Sequence, residues 1–140
     1  MSSEQTGEVF VKSLVGRRLI SLDRHEYTWS FVFDDATTLV TQGSWRILAE
    51  GRISLSDSDD AQQFGLPNPV DAKAHASQLV LGKAVHDASV RGDTGDLTIG
   101  FGGGLVLEAL NTSSGYEAWQ INKPQAGTLI CTGGGKLVVA

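Results

Sequence analysis

The stretch YTWSFVFDDATTLVTQG, residues 27–43, contains the pattern on which the fold prediction depends. Its first seven residues alternate aromatic with smaller side chains, and a β-strand would place all four rings on one face: Tyr27, Trp29, Phe31 and Phe33. The next residues, DDAT, favour a tight turn, because Asp can hydrogen-bond its own backbone and tolerates positive φ. A β-branched segment follows them. The stretch therefore predicts a β-hairpin with one buried face.

The second half of the chain contains a similar stretch, DLTIGFGGGLVLEAL, at residues 96–110. Three glycines stand here at the position that DDAT occupies in the first stretch. If the two positions are equivalent, neither is a phosphate site, because a pair of aspartates would repel a phosphate. A phosphate-binding loop also requires a helix after its glycines, whereas LVLEAL is typical of a strand. A second glycine run, TGGGKLVV at 132–139, contains Lys136 but no Ser or Thr after it. Both glycine runs are therefore predicted to be turns.

The two halves share a frame of matching positions, which indicates an internal pseudo-repeat over about 14–56 and 80–132, with a connection over about 56–70. In each half, a short apolar segment ends in Gly and is followed by a basic residue. The two strands of a predicted hairpin come next, and a Trp and then a second Gly follow the hairpin. The matched pairs are Gly16 and Gly82, Arg17 and Lys83, Phe33 and Phe101, Leu39 and Leu105, Trp45 and Trp119, Ile47 and Ile121, and Gly51 and Gly127.

Two helices are predicted, one before each half. VDAKAHASQLVLG presents an apolar face at helical spacing, with Asp71 as its N-cap and Gly82 beyond its end. EVFVKSLVG, residues 8–16, is the corresponding first helix. We therefore predict an α+β, mainly β fold, in which two similar helix-plus-antiparallel-meander halves share one core in a single domain, residues 1–140.

Composition excludes several classes of protein. The formal net charge is −5 and the basic residues are scattered, which argues against a nucleic-acid partner. No segment is long and apolar enough for a membrane span, and no signal peptide is evident. With a single cysteine, Cys131, no internal disulfide can form. These features predict a soluble, cytoplasmic protein with no membrane partner.

No residue pattern indicates catalysis, a cofactor or a metal ion. The three histidines, His25, His75 and His86, lack the close spacing of metal ligands. Cys131 lies in an apolar segment, where a free cysteine behaves as a small hydrophobic residue. The prediction is therefore that the chain is not an enzyme and carries no cofactor.

The most acidic loop contains Asp57, Asp59 and Asp60, in the sequence SDSDD. A calcium loop would need a glycine and a distal glutamate, which are missing. A solvated loop is the plain interpretation, and the functional alternative is an acidic patch that binds a basic protein. Trp45 and Trp119 are expected to be core residues, since exposed tryptophans would instead mark a binding surface.

The C-terminal part, SGYEAWQI followed by GTLICTGGGKLVV, resembles a family of small bacterial domains of unknown function. That family has a Tyr-Glu-Ala-Trp element, here Tyr116 to Trp119, and a Gly-Gly turn near the chain end. The resemblance extends from about Leu14 to Val139 and departs at Ala140, where it implies an aromatic residue. It implies no catalytic residue. By analogy, small acidic bacterial domains of this kind are often immunity proteins that block a toxin.

These observations favour a non-enzymatic protein-binding module, with a toxin-immunity inhibitor as its most concrete form. The alternative is a small-ligand-binding module with a pocket between the two halves. A homodimer formed through an exposed strand edge also stays open.

Overall fold

The structure, a computed structural model, describes residues 3–140. Within this range the chain is mostly β, with two antiparallel sheets and two helices, which confirms the predicted fold class. The strands are β1 Leu19–His25, β2 Thr28–Phe33, β3 Thr38–Thr41, β4 Trp45–Ala49, β5 Arg52–Ser56, β6 Asp87–Val90, β7 Leu97–Gly102, β8 Leu105–Ala109, β9 Trp119–Lys123, β10 Gly127–Cys131 and β11 Leu137–Val139.

The sheets are built from both halves of the chain. One has the order β1-β2-β3-β9-β10-β11, and the other has the order β5-β4-β8-β7-β6. The first half thus contributes three consecutive strands to one sheet and the hairpin β4-β5 to the other. The second half contributes β6-β7-β8 to the second sheet and β9-β10-β11 to the first. Each half therefore continues as a meander for three strands and then crosses to the opposite sheet.

Two ladders join the halves. In one, β3 pairs with β9, so that Leu39 lies opposite Ile121. In the other, β4 pairs with β8, so that Ile47 lies opposite Leu107. Leu107, and not the sequence-matched Leu105, therefore occupies the ladder position that corresponds to Leu39. The two hairpins have equivalent registers, since Phe31 lies opposite Leu39 as Ile99 lies opposite Leu107, so the sequence match to Leu105 was two residues too early.

The two helices lie at opposite edges of the sheets. α1, Ser3–Lys12, contacts β6 and β11, and α2, Ala72–Val80, contacts β1 and β5. As predicted, the Asp71 carboxylate caps α2 by accepting a hydrogen bond from the Ala74 N–H. The first helix begins five residues before the predicted start. Gly7 lies inside it, where a Cβ would approach Leu137 Cδ1 to 2.8 Å, so close packing explains this helical glycine. Within residues 3–140, no helix has the length and apolar character needed to cross a membrane.

The core is one hydrophobic cluster that draws on both sheets and both helices. Trp45 and Trp119 are fully buried in it, which confirms the expectation that they are core residues. The Trp45 ring makes edge contacts across the sheets with Trp29, at 5.0 Å between centroids, and with Phe31, at 5.7 Å. The prediction that Tyr27 lies on the same buried face as Trp29 and Phe31 is wrong. Tyr27 lies in the turn before β2, and its side chain is exposed.

Trp45 and Trp119 differ in how their indole N–H groups are satisfied. Trp119 Nε1 donates a hydrogen bond of 2.9 Å to the Gly95 carbonyl. Trp45 Nε1 is buried and has no hydrogen-bond partner among the described residues. The two rings therefore contribute similar apolar burial, but only Trp119 also holds a loop through a polar contact.

We predict that Trp119→Phe destabilises the protein more than Trp45→Phe. Both changes remove ring volume from the core, whereas only the first leaves the buried Gly95 carbonyl without its indole donor. The expected extra loss in the free energy of unfolding is about 1–3 kcal/mol. Urea denaturation of both variants measures it, and equal losses would show that the Gly95 contact contributes nothing.

Candidate functional site

The two ends of the sheet pair differ in their connections. At one end, which we call the short-turn end, tight turns link neighbouring strands at residues 34–37, 50–51, 103–104 and 124–126. The opposite end, which we call the long-loop end, comprises residues 26–27, 42–44, 57–71, 91–96, 110–118 and 132–136. Because loops positioned by a rigid scaffold commonly carry binding residues, the long-loop end is the candidate functional site.

Strand registers bring these six segments to the same end. In one sheet, Thr41 lies opposite Trp119, and Trp119 lies opposite Cys131. In the other sheet, Ala109 lies opposite both Trp45 and Leu97. The two sets are tied together, since the Leu110 N–H donates to the Ser44 carbonyl at 2.8 Å and Trp119 Nε1 reaches Gly95.

The long-loop end displays the exposed aromatic residues of the described chain. Tyr27 is 84% exposed, Phe64 is 68% exposed and Tyr116 is 82% exposed, while the remaining tryptophans and phenylalanines are buried. Sequence reasoning assigned Tyr27 to a buried face, used Tyr116 only as part of a motif and did not single out Phe64. Position in the turn, between charged Glu26 and the strand, is the signal that could have identified Tyr27 as exposed.

This end is also strongly acidic. Its six segments contain two cationic residues, Arg91 and Lys136, and eight acidic residues: Glu26, Asp57, Asp59, Asp60, Asp71, Asp93, Asp96 and Glu117. At the short-turn end, together with residues 13–18 and 81–86, the acidic Asp34, Asp35 and Glu50 are balanced by Arg17, Arg18 and Lys83. The negative charge of the chain is therefore concentrated beside the exposed aromatic rings.

Asp57, Asp59 and Asp60 all belong to this end, and each carboxylate has a hydrogen-bond donor within the chain. Asp57 accepts from the Trp45 N–H at 3.3 Å, and Asp59 accepts from the Ser56 N–H at 3.0 Å. Asp60 accepts from the Ala72 N–H at 2.9 Å and forms an ion pair with the Arg24 guanidinium. The predicted binding residues thus also hold the start of the 57–71 loop in place. Whether they contact a partner stays a prediction.

The other carboxylates of this end are positioned in the same way. Asp96 accepts from the Asn111 N–H at 2.9 Å, and Glu117 accepts from Gln120 Nε2 at 3.2 Å. Asp93 pairs with Arg91, and this hydrogen bond lowers the pKa of Asp93 to about 2. Most of these groups therefore bond to neutral donors, which fix the carboxylates and leave their negative charge uncompensated.

The last three loops of this end are packed against one another. Asn111 Nδ2 donates to the Thr94 carbonyl at 3.0 Å, which links the 110–118 loop to the 91–96 loop. Gly135 has a φ of +99°, and a Cβ there would lie 2.5 Å from the Asp93 carbonyl oxygen. The glycines of the TGGGK run therefore permit close contact between loops, and both glycine runs are turns between strands, as predicted.

A small cleft opens between these loops, with a volume of about 210 Å³. It is lined by Gln42 and Gly43 from the first half and by parts of 111–118 from the second, including Tyr116 and Glu117. This is the position that the alternative prediction, a ligand pocket between the halves, requires. The volume is below the roughly 300–1,000 Å³ of typical ligand pockets.

The histidines and the cysteine do not assemble into a reactive site. His25 ends β1, His75 lies on α2 and His86 precedes β6, so the three are carried by separate elements. Among the described residues, no group of three or more His, Cys, Asp and Glu side chains is placed to hold a metal ion. Cys131 is fully buried, and this burial, with the charges of Asp96 and Glu117, raises the pKa of its thiol to about 11.

We predict that Asp57→Asn becomes progressively more favourable, relative to the unmodified protein, as the pH rises from 3 to 7. Partial burial raises the pKa of Asp57 in the folded state. Its contribution to stability is therefore fully present below the unfolded-state pKa and is lost as the pH rises through the folded-state pKa. Asn keeps an oxygen that can accept from the Trp45 N–H without the buried charge. Urea denaturation across this pH range tests the sign, and a difference that does not vary with pH would contradict it.

We predict that Cys131 in the native protein reacts with a thiol reagent such as DTNB at least about a hundredfold more slowly than in 6 M guanidinium chloride, because it is both buried and protonated. Stopped-flow absorbance gives both rates. Rapid labelling of the folded protein at neutral pH would show that the thiol is accessible.

Comparison with known proteins gives one match. A model of a family of unknown function (DUF6188) matches residues 26–140, which include β2 to β11 and α2. No curated protein and no solved structure matches the chain. The matched range begins later than the family resemblance inferred from the sequence, which started at about Leu14. It still covers the long-loop end and the Tyr116 to Trp119 element. The chain belongs to this family of unknown function.

Proposed function

We propose that the chain is a non-enzymatic protein-binding module that binds a basic protein through its long-loop end. The observation that carries the proposal is the coincidence, on one end of the fold, of three exposed aromatic side chains and an uncompensated acidic charge. Exposed Tyr and Phe side chains supply contact area, because large rings are frequent among the residues that dominate interface energies. The acidic loops supply attraction and orientation toward a positively charged surface.

The hydrogen bonds within these loops support the proposal further. A loop that is already ordered loses less conformational entropy when it binds than a mobile loop does. The Asn111 contacts, the backbone donors to the aspartates and the Asp71 cap all restrain the long-loop end before any partner arrives.

The most concrete form of this proposal is an immunity-type inhibitor, which would cover the functional surface of a basic toxin. The support is the resemblance to small acidic bacterial domains, together with the separation of charge between the two ends. An acidic face is complementary in charge to a basic target. Association between the two would then be fast and sensitive to salt.

A second candidate function rests on the cleft beside Gln42 and Tyr116. Its lining includes amide and carboxylate side chains, among them Gln42 and Glu117, which suit a small hydrophilic ligand. A screen of small polar metabolites by thermal shift tests it, since a ligand that binds only the folded state must raise the midpoint of unfolding.

The three loop aspartates are poor positions for testing the main proposal, because reversing them would also break the hydrogen bonds that hold the loop. The chain offers a cleaner pair. Glu26 at the long-loop end has φ +57°, and Glu50 at the short-turn end has φ +52°, and both are exposed turn residues. Glu26→Lys and Glu50→Lys therefore make the same change in charge and in residue type, at opposite ends of the fold.

We expect Glu26→Lys to weaken the binding of a basic partner by roughly threefold or more at low salt, mainly through slower association. Glu50→Lys is expected to change it by less than about twofold, because the substituted charge lies far from the binding end. The partner is captured from the native lysate on the tagged protein, and the kinetics are then measured by surface plasmon resonance. Equal effects of the two substitutions would rule out the long-loop end as the acidic binding face.

A further inference from the structure

The loop at residues 61–70 has a fixed shape although it lies outside the sheets. The Ala61 N–H donates to the Val70 carbonyl and the Val70 N–H donates to the Gln62 carbonyl, both at 2.8 Å. Within this closed base, the Leu66 N–H donates to the Gln63 carbonyl at 2.8 Å, and Gln63 Nε2 donates to the Leu66 carbonyl at 3.0 Å. The loop is therefore a hydrogen-bonded projection with a tight turn at its tip.

Phe64 occupies that tip in a backbone conformation that is unusual for its type. Its φ is +50°, and the following Gly65 has a φ of +74°, so both central residues of the turn lie in the left-handed region. Such turns favour Asn, Asp or Gly, and a bulky side chain there is strained. Strain of this kind persists where the surrounding structure enforces it, often at binding sites.

Packing within the chain does not account for Phe64. Its ring is largely exposed and does not belong to the hydrophobic core. A polar residue or glycine would satisfy the turn better and would expose less apolar area to water. The side chain is therefore unfavourable for the isolated protein on both counts, and a contact outside the chain would offset this cost.

The base of the loop is attached to the rigid part of the fold. Asp60 bonds the first N–H of α2, at Ala72, and pairs with Arg24 on β1. The Arg24 guanidinium in turn lies 5.7 Å from the centre of the buried Trp29 ring. Pro67 and Pro69 further restrict the returning side of the loop. The base of the loop that carries Phe64 is thus bonded both to α2 and to β1, and the Phe64 ring points into solvent at its tip.

The charged residues around the Phe64 ring indicate the charge of the partner surface that it would contact. Residues 57–71 contain four aspartates and no Lys or Arg. We propose that the 61–70 loop is an insertion loop, whose Phe64 ring enters an apolar pocket on a protein that has basic residues around the pocket. This inference rests on the proposed function and adds to it the shape of the partner, which is concave, and the side chain that fills it.

The test compares Phe64→Gly with Ile53→Thr in the full chain. Glycine adopts positive φ without strain, so the first variant removes the ring while favouring the turn. Ile53 is another exposed apolar residue, 59% exposed, but it lies on β5 near the short-turn end. Thermal unfolding is measured first, and Phe64→Gly is expected to unfold at the same temperature or higher. A midpoint lower by several degrees would overturn the proposal, because Phe64 would then stabilise the fold itself.

Binding is measured next, with the partner captured by the unmodified protein from the native lysate. We expect Phe64→Gly to weaken binding at least about tenfold, as for an anchor residue in a pocket, and Ile53→Thr to leave it within about twofold. A photoreactive benzoylphenylalanine at position 64 should crosslink to apolar residues of the partner that have Lys or Arg nearby. Crosslinks to a flat or acidic surface would contradict the insertion.

The outcomes separate the two proposals. If Glu26→Lys weakens binding while Phe64→Gly does not, the insertion loop is wrong and the acidic binding face stands. If Phe64→Gly weakens binding and Ile53→Thr does not, the insertion loop is supported. If the unmodified protein retains no basic protein after a moderate salt wash, both proposals fail.

Discussion

The pairing of strands from different halves of the chain is the constraint on which the rest of the structure depends. β3 of the first half pairs with β9 of the second, and β8 of the second pairs with β4 of the first. Neither half has a complete sheet without the other, and the apolar faces of both sheets are buried in one shared cluster. The two crossing strands β4 and β9 each begin with a buried tryptophan, Trp45 or Trp119, so two of the three core tryptophans lie where the chain changes sheets.

This pairing also decides which end of the fold is free to carry long loops. At the short-turn end, neighbouring strands of a ladder are joined directly, and their register restricts each turn to a few residues. Both crossings between sheets, at 42–44 and 110–118, occur at the other end, and so does the connection from β5 to α2. Such connections are not limited by a ladder on both sides. Their length and composition can therefore vary without disturbing the core, which makes this end suited to recognition.

Much of the fold could be predicted from the sequence, because its strongest signals are local. Alternation identified β2, Asp71 identified the start of α2, and turn chemistry identified the segments at Asp34 and Gly103. The first helix starts earlier than predicted, and Gly7, whose lack of a Cβ allows it to pack near Leu137, lies in the part that the prediction left out. The exchange of strands between halves depends on contacts distant in sequence, which no local pattern contains. For the same reason, the shared location of Tyr27, Phe64 and Tyr116 became evident only once the strand directions were known.

The acidic loops show why residue type alone could not separate a structural role from a binding role. Asp57, Asp59 and Asp60 were predicted as a patch because carboxylates attract basic partners, and the structure shows that each accepts a hydrogen bond from the backbone.

The structural role and the binding role of these carboxylates are physically compatible. A backbone N–H orients a carboxylate but carries no net charge, so it fixes the position of the group without compensating its charge, whereas Asp60 also pairs with the Arg24 guanidinium. A carboxylate held in this way has already lost its rotational freedom before it binds. It also keeps the hydrogen bond from its backbone N–H when a partner displaces the solvent around it. Both effects lower the free-energy cost of bringing it into an interface. The hydrogen bonds that order the long-loop end therefore also prepare its charge for recognition.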